Sequence, residues 1–150
     1  MNTIQKRINI QELEPDAYKA LFAVEKYISN AKIDPILSEL IKIRASQING
    51  CAYCIDIHTK EARNLNISEQ KIYALSAWKE SAFFTQEERV VLAMTDEITL
   101  ISQNGLSVLS YEKAKAIFDE HVIAKLIMLI SVINIWNRIA IATKMTHTLN

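Results

Sequence analysis

Two cysteines and a histidine lie within eight consecutive residues of this chain. The stretch reads CAYCIDIH and contains Cys51, Cys54 and His58. These are the two cysteines of the whole sequence and one of its three histidines. Such a group can hold a metal ion, form a stabilising disulfide or carry out thiol redox chemistry.

The spacing puts all three side chains on one face if the segment is helical. At 100° per residue, Cys54 lies about 60° and His58 about 20° from Cys51 around the helix axis. Asn49-Gly50 breaks the chain, so we predict a helix from about Cys51 to about Asn64. Free N–H groups at its start would lower a thiol pKa, and His58, one turn after Cys54, can accept or return a proton.

Two arguments about the attacking thiol point in opposite directions. The helix dipole favours Cys51, which lies nearer the N-terminus of the helix. The one-turn spacing to His58 favours Cys54 instead. The residues alone leave the nucleophile open.

A carboxyl group upstream extends the candidate site. Glu39 lies twelve positions before Cys51, and its same-face neighbours Ile36 and Ile43 are apolar. We expect this burial to raise the pKa of Glu39 toward the range useful for proton transfer. If the helices that carry Glu39 and Cys51 pack antiparallel, Glu39 can reach the cysteine and histidine face. The alternative is a solvated or ion-paired carboxylate, with Lys42 or Arg44 as its partner.

Other roles for these residues are less well supported. Structural zinc needs four ligands, and His121 and His147 are too far apart to form an H-x3–5-H pair. We expect both of these histidines at the surface near helix ends. Haem attachment requires C-x-x-C-H, whereas residue 55 is isoleucine. The cysteines could also be small buried hydrophobes. We expect Trp78 and Trp136 to anchor a core or an interface rather than stack on a substrate.

The elements that position these residues are predicted to be helices. Two glycines and two prolines in 150 residues leave few turns. Apolar residues recur at helical spacing, and N-caps precede most segments, including Asp34 before Pro35 and Thr85 with Glu88 as a capping box. We predict one all-α domain over residues 1–150, a bundle of six or seven helices. The predicted helices span approximately 15–28, 35–47, 51–64, 68–81, 85–104, 107–121 and 122–144.

Composition narrows the function classes. Seventeen basic and seventeen acidic residues give zero formal net charge, which argues against nucleic acid or an acidic membrane as a partner. The apolar stretch 126–136 is shorter than the ~20 residues of a membrane span, and the N-terminus lacks the pattern of a signal peptide. We therefore expect a cytoplasmic protein, where thiols stay reduced and a structural disulfide is disfavoured.

Together, Glu39, Cys51, Cys54 and His58 form the pattern E-x11-C-x2-C-x3-H. This pattern resembles the signature of the alkyl hydroperoxidase D (AhpD)-like proteins of the carboxymuconolactone decarboxylase superfamily. The block LIKIRASQINGCAYCIDIHTKEAR is similar to the single-domain members, as are ALSAWKES, FTQEERVVLAMTDEIT and INIWNRIAIA further on. The resemblance covers most of the chain in order.

The resemblance implies a function and a set of roles. It implies an all-α homo-oligomer, trimeric or hexameric, that reduces hydroperoxides through the cysteine pair without a bound cofactor or metal. Cys54 would be the peroxidatic cysteine and Cys51 the resolving one, with Glu39 and His58 as a proton relay. Electrons would come from a dithiol such as dihydrolipoamide, carried by a lipoylated acyltransferase and supplied by an NADH-dependent dehydrogenase.

One position departs from the pattern of alkyl hydroperoxidase D itself. That protein has a second histidine just before the second cysteine, where this chain has Tyr53. The alternatives to a peroxidase are a general disulfide reductase or a redox sensor. A decarboxylase or other lyase would have no use for a C-x-x-C pair, and a non-catalytic oligomeric protein would leave the pair idle.

Overall fold

A computed structural model describes residues 5–146, and in that range all regular secondary structure is helical, with no strand. The α-helices span Ile10–Leu13 (α1), Pro15–Asn30 (α2), Pro35–Asn49 (α3), Ala52–Asn64 (α4), Glu69–Ala74 (α5), Gln86–Thr99 (α6), Ile101–Asn104 (α7), Val108–Lys115 (α8) and Glu120–Thr143 (α9). A 3-10 helix, Leu75–Ala77, follows α5. The predicted all-α class is confirmed, with two short helices, α1 and α7, beyond the predicted number.

The predicted helix starts coincide with side-chain caps. Asp34 accepts hydrogen bonds from two backbone N–H groups of α3, and Ser68 caps α5. Thr85 and Glu88 form the predicted reciprocal capping box at the start of α6. Gly50 ends α3 in the left-handed region, at φ 70°, which is accessible to glycine without the steric penalty of a Cβ. Local side-chain chemistry therefore sets these boundaries.

Three of the predicted helices are shorter than expected. The helix predicted over 85–104 is broken at Leu100 into α6 and α7. The segment predicted over 68–81 leaves α-geometry after Ala74, and the tighter 3-10 turn that follows carries buried Leu75 just ahead of buried Trp78. The segment predicted over 107–121 stops at Lys115. This helix ends earlier than predicted because Asp119 caps the next helix, where its side chain accepts a hydrogen bond from the Val122 N–H.

Helix α9 is the main core helix of the bundle. Its inner face packs on α3, α6, α8 and α2 and is buried along its length. By length and apolar composition alone α9 could also cross a membrane, but half of its most apolar stretch is buried inside the protein, as in the core helix of a soluble fold. Met128 and Ile135 on its outer side, and Ile141 near its end, are 38–43% exposed.

A network of buried amides joins the end of α3 to α9. The Asn49 side-chain amide donates to Asn134 Oδ1 at 2.8 Å and to Asn137 Oδ1 at 2.9 Å. Asn137, which is fully buried, donates in turn to Ser46 Oγ at 2.9 Å. Buried amides stabilise a fold when their hydrogen bonds are satisfied. This network therefore fixes the turn that leads from α3 into Cys51.

Candidate active site

The cysteine pair lies at the start of α4. Cys51 is the N-cap residue, and its sulfur accepts a hydrogen bond from the Cys54 N–H at 3.3 Å. The two sulfurs are bonded to each other, with the Cα atoms 5.4 Å apart. Cys51 is fully buried, whereas Cys54 retains 4% exposure. The predicted helix start is thus confirmed to within one residue.

Glu39 and His58 meet between α3 and α4. The Gly50 turn folds α4 back against α3, and Glu39 Oε2 lies 2.9 Å from His58 Nδ1. The hydrogen bond joins residues nineteen positions apart. The structure therefore brings the predicted carboxyl group to the histidine on the cysteine helix.

The expectation of a raised pKa for Glu39 is wrong. Burial raises the pKa of this carboxyl group, but the hydrogen bond from His58 and the charge of Lys42 outweigh burial and leave the pKa below its ordinary value. Lys42 Nζ lies 3.0 Å from Glu39 Oε1. Arg44, the other predicted partner, instead pairs with Asp96 at 2.6 Å. Glu39 is therefore an ionised hydrogen-bond acceptor rather than a protonated carboxyl group that could donate a proton.

An ionised Glu39 determines the tautomer of neutral His58. A carboxylate accepts hydrogen bonds and cannot donate them, so His58 Nδ1 must carry the hydrogen in the bond to Glu39. The other ring nitrogen, Nε2, is then free to accept a proton. His58 also lines the cavity described next, so this arrangement suits a general base.

A cavity of about 230 Å³ lies beside Cys54 and His58. Its lining is mainly apolar and comes from four of the helices and the segment after α9. The lining residues are Tyr18, Phe22, Glu25, Lys42, Tyr53, Cys54, Ile57, His58, Leu129, Val132, Ile133, Trp136, Ala140 and Met145. A pocket with these properties is a default binding-site hypothesis for an apolar small molecule.

Three aromatic rings form one wall of this cavity. The Tyr18 ring centroid lies 5.2 Å from that of Phe22, and Trp136 lies 5.4 Å from each of them. Trp136 also donates its indole N–H to Glu25 Oε2 at 3.0 Å. Trp136 packs against the main hydrophobic core, as predicted, and it also lines the cavity. Its sequence context, an apolar helix, carries no signal that separates these roles.

The remaining sequence-predicted residues lie elsewhere. Trp78 is buried in a core cluster, as predicted, and donates to Asp96 Oδ2 at 3.2 Å. His121 is exposed at the start of α9, as predicted, and His147 lies outside the described residues. In residues 5–146, no three side chains of histidine, cysteine, aspartate or glutamate converge as metal ligands would.

Comparison with known proteins assigns this arrangement to a family. The sequence model of the carboxymuconolactone decarboxylase family matches residues 15–97, which include the cysteine pair, Glu39 and His58. The chain belongs to the carboxymuconolactone decarboxylase family. The sequence is also similar to the uncharacterised protein YdfG of Bacillus subtilis (strain 168). The two are 40% identical over 139 residues, which cover 93% of this chain and 95% of YdfG.

Solved structures give the same assignment. ATU0492 of Agrobacterium tumefaciens, a protein of unknown function and candidate antioxidant defence protein AhpD, superposes with a TM-score of 0.94. It is 39% identical, and the match covers 97% of this chain and 100% of that one. The predicted AhpD-like membership of the carboxymuconolactone decarboxylase family is thereby confirmed.

A more distant structure shares only the fold. The debrominase Bmp8, without ligand, has a TM-score of 0.81 at 22% identity, covering 92% of this chain and 74% of Bmp8. Fold alone does not determine the reaction. The activity of this member of the carboxymuconolactone decarboxylase family must therefore be argued from its own site.

Tyr53, the position that departs from alkyl hydroperoxidase D, lies in the cavity lining next to Cys54. Burial raises the pKa of Tyr18 above its ordinary value, and the nearby Tyr53 raises it further. The Tyr18 phenol therefore stays protonated at neutral pH, and a tyrosine at position 53 does not supply the imidazole base that a histidine would.

Proposed function

We propose that this protein is a thiol peroxidase that reduces organic hydroperoxides through Cys54 and Cys51. The observation that carries the proposal is the difference between the two cysteines. Cys54 lines an apolar cavity together with His58, whereas Cys51 is fully buried but bonded to Cys54. A peroxide in that cavity meets Cys54 first, and Cys51 is in range to form the disulfide.

The first half-reaction uses Cys54 as the nucleophile. His58 Nε2, oriented by Glu39, accepts the thiol proton. The Cys54 thiolate attacks the terminal oxygen of R–O–OH, so an S–O bond forms and the O–O bond breaks. Cys54 becomes a sulfenic acid, and the alkoxide RO⁻ takes the proton from His58 to leave as ROH. The sulfur is oxidised by two electrons as the peroxide is reduced by two.

The second half-reaction makes and reopens the disulfide. The Cys51 thiol condenses with the Cys54 sulfenic acid, which forms the S–S bond and releases water. One thiol of an external dithiol then attacks Cys54, and Cys51 leaves as a thiolate; the second thiol of the donor attacks the resulting mixed disulfide, which releases Cys54 and leaves the donor as its own disulfide. The Cys54 N–H that lies 3.3 Å from the Cys51 sulfur would stabilise that leaving thiolate. This reconciles the helix-start argument for Cys51 with an attack by Cys54: one thiolate attacks, and the other leaves.

The proposed cycle requires an external reductant. We infer a dithiol donor of the dihydrolipoamide type, without a bound cofactor, in the reducing cytoplasm. We also infer a homo-oligomer, trimeric or hexameric. The support for assembly is the exposed apolar side of α9, with Met128, Ile135 and Ile141, and exposed Ile101 on α7.

The proposal is tested by measuring consumption of an organic hydroperoxide in the presence of a dithiol. Cys54→Ser should abolish turnover. In Cys51→Ser no protein thiol can condense with the sulfenic acid, so one equivalent of peroxide added without the dithiol should leave a trappable sulfenic acid on Cys54 instead of a disulfide. Unchanged turnover in Cys54→Ser contradicts the assignment. The exposed Ser76→Ala is a matched control and should behave as the wild type.

A general disulfide reductase is the second candidate. The observation in its favour is the hydrogen bond from the helix start to the Cys51 sulfur, which suits thiol–disulfide exchange at least as well as peroxide reduction. Comparing turnover on an organic hydroperoxide with turnover on a small disulfide, at equal dithiol, separates the two activities. Faster turnover on the disulfide would favour the reductase.

A further inference from the structure

We propose that Lys42 is a fifth member of this site, a positioning residue that keeps Glu39 ionised and so keeps His58 able to take the Cys54 proton. The inference deepens the proposed peroxidase function and rests on it. Lys42 lines the same cavity as Cys54 and His58, and it lies three residues after Glu39, one turn along α3.

The geometry that carries this proposal is a carboxylate shared between two partners. Glu39 Oε1 lies 3.0 Å from Lys42 Nζ, and Glu39 Oε2 lies 2.9 Å from His58 Nδ1. The side chains of Glu39 and Lys42 are only 10% and 16% exposed. A carboxylate this far from water stays ionised only if partners compensate for the lost hydration. Lys42 supplies the ammonium group of the two, whereas His58 enters the proposed cycle as a neutral imidazole.

The other charged groups of α4 and α6 bond to other partners or are exposed. Glu61 and Glu87 are exposed, and Arg63, Arg89 and Glu97 bond to groups other than Glu39. On α6, Asp96 pairs with Arg44 at 2.6 Å and Glu88 with Lys71 at 2.5 Å. On α4, Asp56 pairs with Lys60 at 2.9 Å.

The rest of the cavity adds one further charge. Glu25 of α2 lines it and accepts the Trp136 N–H, while α9 contributes only uncharged side chains to the lining. Within the described residues, Lys42 is therefore the cation that faces Glu39 besides the titratable His58.

The consequence for chemistry follows from the tautomer of His58. If Glu39 took up a proton, its new O–H would donate to His58 Nδ1, and the ring hydrogen would move to Nε2. Nε2 could then no longer accept the Cys54 proton. The hydrogen bond from His58 and the charge of Lys42 together hold the pKa of Glu39 down, and Lys42 thereby opposes this proton uptake. Lys42 acts on Cys54 only through Glu39 and His58, so Lys42 is a positioning residue and not itself a catalytic residue.

The test compares pH profiles of kcat/KM for an organic hydroperoxide. Lys42→Met keeps the length of the side chain and removes the charge. We expect the acid limb of the profile to move to higher pH by about one unit, which is about a tenfold loss on that limb. Lys42→Arg should restore the wild-type profile. Lys60→Met is the matched control, because it removes a lysine from an ion pair of 2.9 Å on α4 and should leave the profile unchanged.

A second readout is independent of peroxide turnover. In a reduced Cys51→Ser background, the rate of Cys54 alkylation by iodoacetamide reports thiolate formation as a function of pH. The Lys42→Met profile should shift as in the kinetic test, even if the wild type proves not to reduce peroxides. Coincident pH profiles for Lys42→Met and Lys60→Met overturn the proposal. A Lys42→Met variant whose rate falls by the same factor at every pH overturns it as well. Lys42→Gln replaces Lys42→Met if thermal unfolding shows that the methionine variant does not fold.

Discussion

Glu39 Oε2 lies 2.9 Å from His58 Nδ1, across the interface between α3 and α4. The bond links a residue of the first helical turns of α3 to the middle of the helix that carries both cysteines. Its geometry makes the proton affinity of one side chain depend on the charge of the other. The base near Cys54 is therefore a property of two packed helices rather than of the C-x-x-C segment alone.

Replacing Glu39 tests this dependence directly. Glu39→Gln keeps the shape of the side chain, but its amide can donate a hydrogen bond to His58 Nδ1 and so favours the wrong tautomer. We expect peroxidase kcat/KM to fall about a hundredfold, the lower range for loss of general-base catalysis. The exposed Glu61→Gln on α4 is the control. Equal kcat/KM values for the two variants would show that Glu39 has no part in the mechanism.

The lowered pKa of Glu39 also predicts how stability responds to acid. The folded-state pKa lies below the ordinary value of 4.5, so the carboxylate stabilises the fold above that pH, and this stabilisation is lost as pH falls below 4.5 through the folded pKa. We expect Glu39→Gln to lower the free energy of unfolding at pH 7 and to differ less from the wild type as pH falls below 4.5. Urea unfolding at several pH values measures the difference, and a gap that widens in acid contradicts the prediction.

The sequence was sufficient for those features that depend on local chemistry. Caps such as Asp34, Thr85 and Ser68 determine helix starts within a few residues, and the phase of a helix determines which side chains share a face. Cys51 at the start of α4 could therefore be predicted. The family signature then added Glu39, which the local pattern alone could only suggest.

The features that depend on packing between distant segments were not predictable. The direction of the Glu39 pKa shift depends on a balance between burial, the hydrogen bond from His58 and the charge of Lys42, and the two partners together outweigh burial. The aromatic wall joins α2 to Trp136 over more than a hundred residues of chain, and no periodicity within one helix encodes that contact. The shortened α5 and α8 likewise depend on tertiary contacts and on competing caps.

The aromatic wall predicts a substrate preference. Phe22 is 51% exposed, and its ring centroid lies 5.4 Å from that of Trp136. Phe22→Ala removes apolar contact area, so we expect KM for cumene hydroperoxide to rise about three- to tenfold. KM for hydrogen peroxide should stay the same, because so small a molecule does not need the wall. Phe83→Ala, 55% exposed and outside the cavity lining, is the control. Equal increases for both peroxides would contradict a role in substrate selection.

The buried amide network predicts a stability effect. Asn137 is fully buried, donates to Ser46 Oγ and accepts from Asn49. Asn137→Ala removes both of these hydrogen bonds from the network and leaves a gap in a buried position, so we expect the free energy of unfolding to fall by about 1–3 kcal/mol. Chemical denaturation measures it, with the exposed Asn64→Ala as control. A change no larger than in that control would mean that solvent or repacking satisfies the partners.

The outer side of α9 predicts the assembly state. Ile135 is 38% exposed and lines an open apolar groove with Ile98 and Ile101. If this side lies at a subunit interface, Ile135→Lys would place a charge there, and the mass measured by light scattering should fall toward that of one chain. Tyr73→Lys, at a position that is 65% exposed, should leave the mass unchanged. A wild-type protein of single-chain mass would contradict the proposed oligomer.

The complete burial of Cys51 limits the order in which reactants can meet the enzyme. Cys54 is the sulfur that lines the cavity, so in the proposed cycle the peroxide and the reducing dithiol must approach the same atom through the same opening. The alcohol product has to leave before the dithiol can enter. Initial-rate plots against peroxide at several dithiol concentrations should therefore give parallel double-reciprocal lines, and each substrate at high concentration should inhibit the use of the other.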